Sequence, residues 1–289
     1  MSRLRIGISP CPNDTFAFHG LISGRIELPF ETEFVIRDVE ELNRLALASR
    51  LDITKVSFHL AGKVLSDYLI LNSGAALGRG CGPLLLTRPG MDLASVAEPV
   101  VAIPGRNTTA ALLLRLFFAH ERPLSPREPV LEEMLFSEIP DAVASGQVDA
   151  GLIIHESRFT YQEKGLVAVE DLGRWWEEQT GSPIPLGCIV GKRALGTSVL
   201  KRFDKALKRS IEAALKEPGP SLSFARDYAQ EISEDVMRQH IGLYVNEFTL
   251  DMGEQGRRAV EQLFQLAGQA GIISSHPGDG KGQPIFLEK

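Results

Sequence analysis

The residues foretell an α/β protein of two lobes, each a mixed sheet flanked by helices, with a ligand cleft between them. Three observations carry that reading. Short apolar runs, such as residues 4–8 and 151–154, alternate with amphipathic stretches, the rhythm of strands crossed by helices. A loosely matching helix–turn–strand unit occurs at 46–52 and again at 142–149, and each copy delivers a strand ending in polar groups. A Gly-rich loop at 77–83 and an apolar segment at 182–190 stand where the chain would cross between lobes and return.

Taken in order, residues 4–8 read as the first strand. It breaks at Ser9-Pro10-Cys11-Pro12-Asn13-Asp14, where two prolines are expected to forbid a helix start and force an extended loop. Asp14 or Thr15 would then cap a helix carrying Phe16, Phe18, Leu21 and Ile22. Residues 30–37 are a second strand, and Asp38 followed by Glu41 makes a capping-box-like start for a helix over 39–48. Residues 52–59 form a strand that ends in small polar and aromatic groups. The apolar run Leu84-Leu85-Leu86 follows the Gly-rich loop, and a strand over 100–103 opens the second lobe, with a helix over 111–119 behind it. Residues 138–145 are a helix, Gly146 its left-handed cap, and 151–155 the strand opened by Asp149. Four helices, at 199–216, 221–230, 235–245 and 253–270, complete the chain before a Gly/Pro-rich tail in which His276 is expected to be solvated. The first lobe is therefore expected to be discontinuous, residues 1–88 and 186–289, with 89–185 inserted as the second lobe.

Composition excludes several function classes. Hydrophobic residues make up 44% and charged residues 24% of the 289, enough for a full core. A formal net charge of -6 argues against nucleic acid as partner, because phosphate binding needs a basic surface. Cys11, Cys81 and Cys188 are odd in number and form no CxxC pair, which fits a reducing compartment rather than a disulfide framework or zinc knuckle. The first apolar run stops at Ser9-Pro10, too short for a signal-peptide core, and no later segment is long enough to span a membrane, so a cytoplasmic protein is expected.

The candidate site residues sit at strand ends and at one helix start. His155 closes a doubly buried apolar run, the position at which open α/β sheets place ligands, and its pKa near neutrality suits proton transfer; a structural histidine is the alternative. Ser57 ends the corresponding first-lobe strand and is either a ligand contact or a turn former. Pro104-Gly105-Arg106-Asn107-Thr108-Thr109-Ala110 joins a strand to a helix, and its N–H groups suit a carboxylate or phosphate; the alternative is a plain cap by Asn107 or Thr108. His19 and His59 have no second ligand at metal spacing, and His155-Glu156 has no histidine at the metalloprotease offset. Gly78-Arg79-Gly80-Cys81-Gly82 lacks the dinucleotide spacing. Trp175 and Trp176 either wall an aromatic pocket or divide between core and surface, and Glu156 either orients the imidazole or pairs with Arg158, the latter preferred.

Ser9-Pro10-Cys11-Pro12-Asn13-Asp14-Thr15-Phe16, Thr54-Lys55-Val56-Ser57, Gly105-Arg106-Asn107-Thr108-Thr109-Ala110 and Gly151-Leu152-Ile153-Ile154-His155-Glu156-Ser157-Arg158-Phe159-Thr160-Tyr161 together resemble the 1,4-dihydroxy-6-naphthoate synthase family of the futalosine route to menaquinone. The resemblance runs nearly end to end and includes Asp171-Leu172-Gly173-Arg174-Trp175-Trp176-Glu177 and Tyr244-Val245-Asn246. It implies a type II periplasmic-binding-protein-like fold and a lyase acting on cyclic dehypoxanthinyl futalosine, a small carboxylate, with no cofactor and no metal. It places the general base on His155 and substrate contacts on Lys55, Val56, Ser57, Thr109 and Ala110. Asn107 stands where such sequences also carry a histidine. Two rival readings are chorismate dehydratase of the same pathway and a small-anion binding protein without chemistry. Oligomeric state is not legible.

Overall fold

The computed structural model describes residues 3–120, 129–229, 233–273 and 283–288. The chain begins β1 (Leu4–Ile8), α1 (Pro12–Ile22), β2 (Thr32–Ile36), α2 (Val39–Leu47), β3 (Ile53–Ser57), α3 (Phe58–Lys63), β4 (Tyr68–Ile70) and β5 (Ala76–Gly78). It continues β6 (Leu84–Thr87), β7 (Val100–Ile103), α4 (Thr109–His120), β8 (Val130–Glu133), α5 (Ile139–Ser145), β9 (Ala150–Ile153), α6 (Ser157–Thr160), β10 (Val167–Asp171) and α7 (Leu172–Thr180). It ends β11 (Ile184–Lys192), α8 (Thr197–Lys216), α9 (Pro218–Tyr228), α10 (Glu234–Tyr244), α11 (Glu247–Leu250) and α12 (Gly253–Gln269).

Two mixed sheets result. The first runs β2-β1-β3-β11-β4, with β5 also paired to β11; the second runs β10-β6-β9-β7-β8. β1 pairs parallel with β2 and β3, while β11 runs antiparallel to β3. In the second sheet β9 is parallel to β7 and antiparallel to β6. The middle strands β3 and β9 are buried along their whole length, which is why both lack a polar face in the sequence. The repeated unit is real: α2 and α5 each end near a left-handed residue, Ser49 (φ 52°) and Gly146 (φ 79°), and each feeds the middle strand of its sheet.

Two expectations are corrected here. Residues 84–87 fall in the segment assigned above to the first lobe, yet β6 pairs with β9 and β10 in the second sheet. Three consecutive buried leucines need a strand on either side, and the interior of a sheet supplies both. The chain thus leaves the first sheet between β5 and β6 and returns between α7 and β11. The prolines, moreover, do not delay α1, which starts at Pro12 with Cys11 as N-cap. At the first helical position a missing N–H has no partner to lose, and the ring presets the helical φ.

One apolar cluster packs α1, α8 and α9 on the first sheet, with Phe16, Phe18, Phe203 and Leu207 at its centre. Another runs through both crossings and contains Trp175 and Trp176, which are both buried. Neither alternative weighed for the tryptophan pair holds: no ring lies at the surface, and neither lines the cleft described below. No helix among the described residues is long and apolar enough to cross a membrane. His276 lies outside the described residues.

Candidate functional site

Between the sheets lies a cleft of about 650 Å³ of non-atom space. It is walled by the β1–α1 turn, the end of β3, the start of α4, the loop after β9, and β11. These are mostly carboxyl ends of parallel strands, where such sheets leave room for ligands.

The first wall follows from strand alternation. Lys55 and Ser57 lie on one side of β3 and line the cleft. Val56 points the other way into the apolar core with no exposed surface, so this expected substrate contact does not reach the cleft. A buried ammonium requires a partner, and Lys55 Nζ lies 2.6 Å from Asp14 Oδ1. Ser9 Oγ donates to Asp14 Oδ2 (2.6 Å) and Asn13 Nδ2 to Asp14 Oδ1 (2.8 Å), so three donors hold one carboxylate. Asn43 clamps Ser57: its Oδ1 accepts the Ser57 N–H (3.0 Å) and its Nδ2 donates to Ser57 Oγ (3.3 Å). That leaves the serine hydroxyl hydrogen available to a guest.

The facing wall is the start of α4. Thr108 is the cap, its Oγ1 accepting from the Ala111 N–H (3.2 Å). The Thr109 hydroxyl donates to the Leu186 carbonyl (2.6 Å) and accepts the His59 N–H (3.3 Å), so it ties the helix start to β11. Among the described residues the Thr109 and Ala110 N–H groups form no hydrogen bond, and both residues line the cleft. They are open donors at the positive end of a 12-residue helix. Asn107 is occupied elsewhere. Its Nδ2 donates to Glu40 Oε1 (2.7 Å) and its N–H to Glu40 Oε2 (3.3 Å). Burial raises the Glu40 pKa, and the Asn43 and Asn107 hydrogen bonds oppose that. Gly105 has φ 147°, and a Cβ there would stand 2.6 Å from Glu40 Oε2, so this contact between α2 and the α4 loop tolerates only glycine.

His155 lies beyond the end of β9 rather than within it, in the left-handed region at φ 58°. Its ring packs edge-on to Phe136 (5.0 Å between centroids) and near-parallel to His240 (6.2 Å). Nε2 stands 3.6 Å from Cys11 Sγ. Burial lowers the imidazole pKa; the Glu156, Asp38 and Asp14 carboxylates push it up, and Lys55 pushes it down. The net shift keeps the ring neutral at cellular pH. Glu156 does not pair with Arg158 as expected: Arg158 donates to Asp171 Oδ2 (2.7 Å) and to the Gly82 carbonyl (2.6 Å). Glu156 Oε2 is buried with no partner among the described residues.

Sequence reading missed several members. In sequence Ser9, Asn13 and Asp14 read as loop and cap, and the donors and carboxylate grouped around the two prolines are the only signal they carry. His240 and Tyr244, four apart on α10 and hence on one face, lie tilted to each other with ring centroids 4.6 Å apart, and His240 in turn packs near-parallel to His155. His240 Nε2 meets Asn13 Oδ1 at 3.0 Å, and burial, then His155, then Lys55, drive its pKa well down. His59, also buried, meets the Thr108 carbonyl at 3.2 Å, and burial lowers its pKa to about 3. Among the described residues no group of three His, Cys, Asp or Glu is disposed to hold a metal.

Comparison with known proteins agrees with this layout. A family model described as menaquinone biosynthesis matches residues 4–269. The chain is 46% identical over 287 residues to a Thermus thermophilus protein named 1,4-dihydroxy-6-naphthoate synthase, covering 99% of this chain and 100% of that one. It is 45% identical over 270 residues to a Streptomyces coelicolor protein of the same name, covering 93% and 94%. Among solved structures, an Archaeoglobus fulgidus protein superposes with a TM-score of 0.87 at 34% identity, over 94% of this chain and 98% of that chain. The alkanesulfonate-binding protein of Xanthomonas axonopodis, bound to MOPS, superposes with a TM-score of 0.71 at 15% identity, over 96% of each chain. That likeness establishes the two-lobed periplasmic-binding-protein-like fold.

Proposed function

The chain belongs to the menaquinone biosynthesis family, and on that premise we propose that it is a 1,4-dihydroxy-6-naphthoate synthase, a carbon–carbon lyase acting on cyclic dehypoxanthinyl futalosine. One observation carries the assignment of the site: a neutral imidazole, His155, lines the same cleft as a set of donors suited to a carboxylate. The Lys55 ammonium, the Ser57 hydroxyl and the Thr109 and Ala110 N–H groups hold the substrate carboxylate and hydroxyls. Thr109 contributes through its backbone, since its hydroxyl hydrogen is given to Leu186. The lobes, divided at the β5–β6 and α7–β11 crossings, close over the guest and exclude water.

His155 then takes a proton from the bound ring system. The C–H electron pair becomes a ring double bond as the carbon–carbon bond to the sugar-derived fragment breaks; that bond's own pair leaves with the fragment, which takes up a proton, and aromatisation makes the step downhill. The Glu156, Asp14 and Asp38 carboxylates favour the imidazolium formed. The enzyme works in the cytoplasm, in keeping with three unpaired cysteines.

His155→Ala is expected to lower turnover by about 100- to 10,000-fold while leaving the melting transition near its original temperature. Near-normal turnover in a folded variant would remove the base from His155. Purified protein incubated with cyclic dehypoxanthinyl futalosine should form the naphthoate chromophore and leave chorismate untouched; consumption of chorismate alone would overturn the substrate assignment.

A further inference from the structure

We propose that Cys11 is a positioning residue for His155: its sulfur, brought from the opposite lobe, takes the Nε2–H and so leaves Nδ1 as the basic atom. The proposal rests on His155 being the general base, and it names which nitrogen does the work and what selects it.

The geometry begins with the chain's strained point. His155 has φ 58°, a conformation that a non-glycine residue keeps only when its surroundings over-determine it. Phe136 on one side and His240 on the other fix the plane of the ring. What remains is which nitrogen bears the proton, and in a neutral imidazole the hydrogen bond of one nitrogen decides the state of the other. Nε2 has a partner, Cys11 Sγ at 3.6 Å, and among the described residues Nδ1 has none. Cys11 itself is held firmly: it is the N-cap of α1, its N–H donates to Ser9 Oγ (3.3 Å), and its carbonyl accepts the Asp14 and Thr15 N–H groups (3.0 Å each).

The chemistry of the acceptor matters as much as its place. A helix start usually favours thiolate, yet here burial, then Glu156 and Asp14, keep the thiol protonated. A neutral sulfur that accepts the Nε2–H through a lone pair, its own S–H turned away, sets the tautomer without adding charge. A carboxylate in its position would favour imidazolium at rest and leave no free base. The contact also crosses the cleft, from the β1–α1 turn to the loop after β9, so the base acquires its tautomer only when the lobes meet. The charged and titratable groups that face His155 are Glu156 on its own loop, Asp38 before α2, Asp14 on α1, Lys55 on β3 and His240 on α10.

The test compares Cys11→Ala and Cys11→Ser with the parent enzyme, by steady-state kinetics across pH and by ¹⁵N spectra of histidine-labelled protein. In the parent, the His155 spectrum should report Nε2–H at rest. Cys11→Ala should lower kcat by about tenfold, the factor that one neutral hydrogen bond commands, with little change in KM. It should also shift the acid limb of the kcat profile and add the Nδ1–H tautomer to the spectrum. Cys11→Ser, which keeps a neutral acceptor, should recover part of kcat and of the single-tautomer spectrum. An unchanged tautomer and acid limb in Cys11→Ser and Cys11→Ala would overturn the proposal, as would a parent spectrum showing Nδ1–H. If Cys11→Ala does not fold, Cys11→Val, which fills the buried volume but offers no acceptor, takes its place: loss of the single tautomer with a lowered kcat supports the proposal, and a parental spectrum and profile overturn it. Undiminished turnover in His155→Ala would instead remove the underlying reading, so the two failures are told apart.

Discussion

On the first-lobe wall, Asp14 accepts from Ser9, Asn13 and Lys55 at 2.6–2.8 Å, and Asn43 holds Ser57 by two further bonds. On the facing wall, His155 has a single 3.6 Å contact to sulfur, a strained backbone and aromatic neighbours. The first wall is a closed polar network in which each buried charge is answered. The second presents open donors and a base held by shape. Recognition groups gain from being immobile, whereas a group that must change protonation cannot be pinned in one charge state by strong partners.

The contrast breaks first at Asp14. Asp14→Ala leaves the Lys55 ammonium buried without its carboxylate, a change that costs about 3–5 kcal/mol. His155→Ala removes no such partner and is expected to cost less than about 1 kcal/mol. Urea midpoints of the two variants measure the difference directly. Equal midpoints would mean that the Lys55–Asp14 network does not carry the stability of the first wall.

How much of this was legible depends on which periodicity carried the information. The doubly buried strands and the α5–β9 unit stood out because apolar runs and a Gly cap are local signals, and the strand ends they delivered do meet in one cleft. Val56 was drawn in with its neighbours because a motif names a segment, while a strand sends alternate residues to opposite faces. Asp14 and His240 were illegible for another reason. Each looks like an ordinary capping or helical residue, and its role exists only through Lys55 or Asn13, which the fold brings from other segments. The boundary of the second lobe slipped past β6 because a loop rich in glycine marks a crossing without saying on which side the next strand pairs.

Acid sharpens the comparison by acting on the histidines. The His59, His155 and His240 pKa values are all lowered by burial from the ordinary 6.5. Below pH 6.5 the unfolded chain binds protons that the folded chain refuses, so stability is full above that pH and is lost as the pH falls toward the folded values. Each such group contributes a slope of about 1.4 kcal/mol per pH unit. Denaturant titrations at pH 7 and pH 5.5 should therefore show a marked loss at the lower pH, and His240→Gln should reduce it. Glu40, raised by burial, takes its proton sooner in the folded state and opposes the trend. A stability curve flat between these pH values would show that the buried imidazoles titrate alike folded and unfolded. Turnover should extend below pH 6.5 for the same reason, because His155 stays neutral there.

The smallest effect belongs to Thr108, and it tests whether the second wall binds through its backbone. Its Oγ1 caps α4 by accepting the Ala111 N–H, while the same hydroxyl donates to the Gly105 carbonyl (2.7 Å). Thr108→Ala removes both bonds at once, which costs about 1 kcal/mol of stability and loosens the first turn of the helix. If the Thr109 and Ala110 N–H groups hold the substrate carboxylate, that loosening raises KM several-fold and leaves kcat, set by His155 on the separate loop after β9, nearly unchanged. Thr108→Ser keeps the capping oxygen and should restore both stability and KM. A loss of kcat with KM intact would instead tie the helix start to the chemical step and erase the division of labour, within the second wall, between binding by the α4 start and proton transfer by His155.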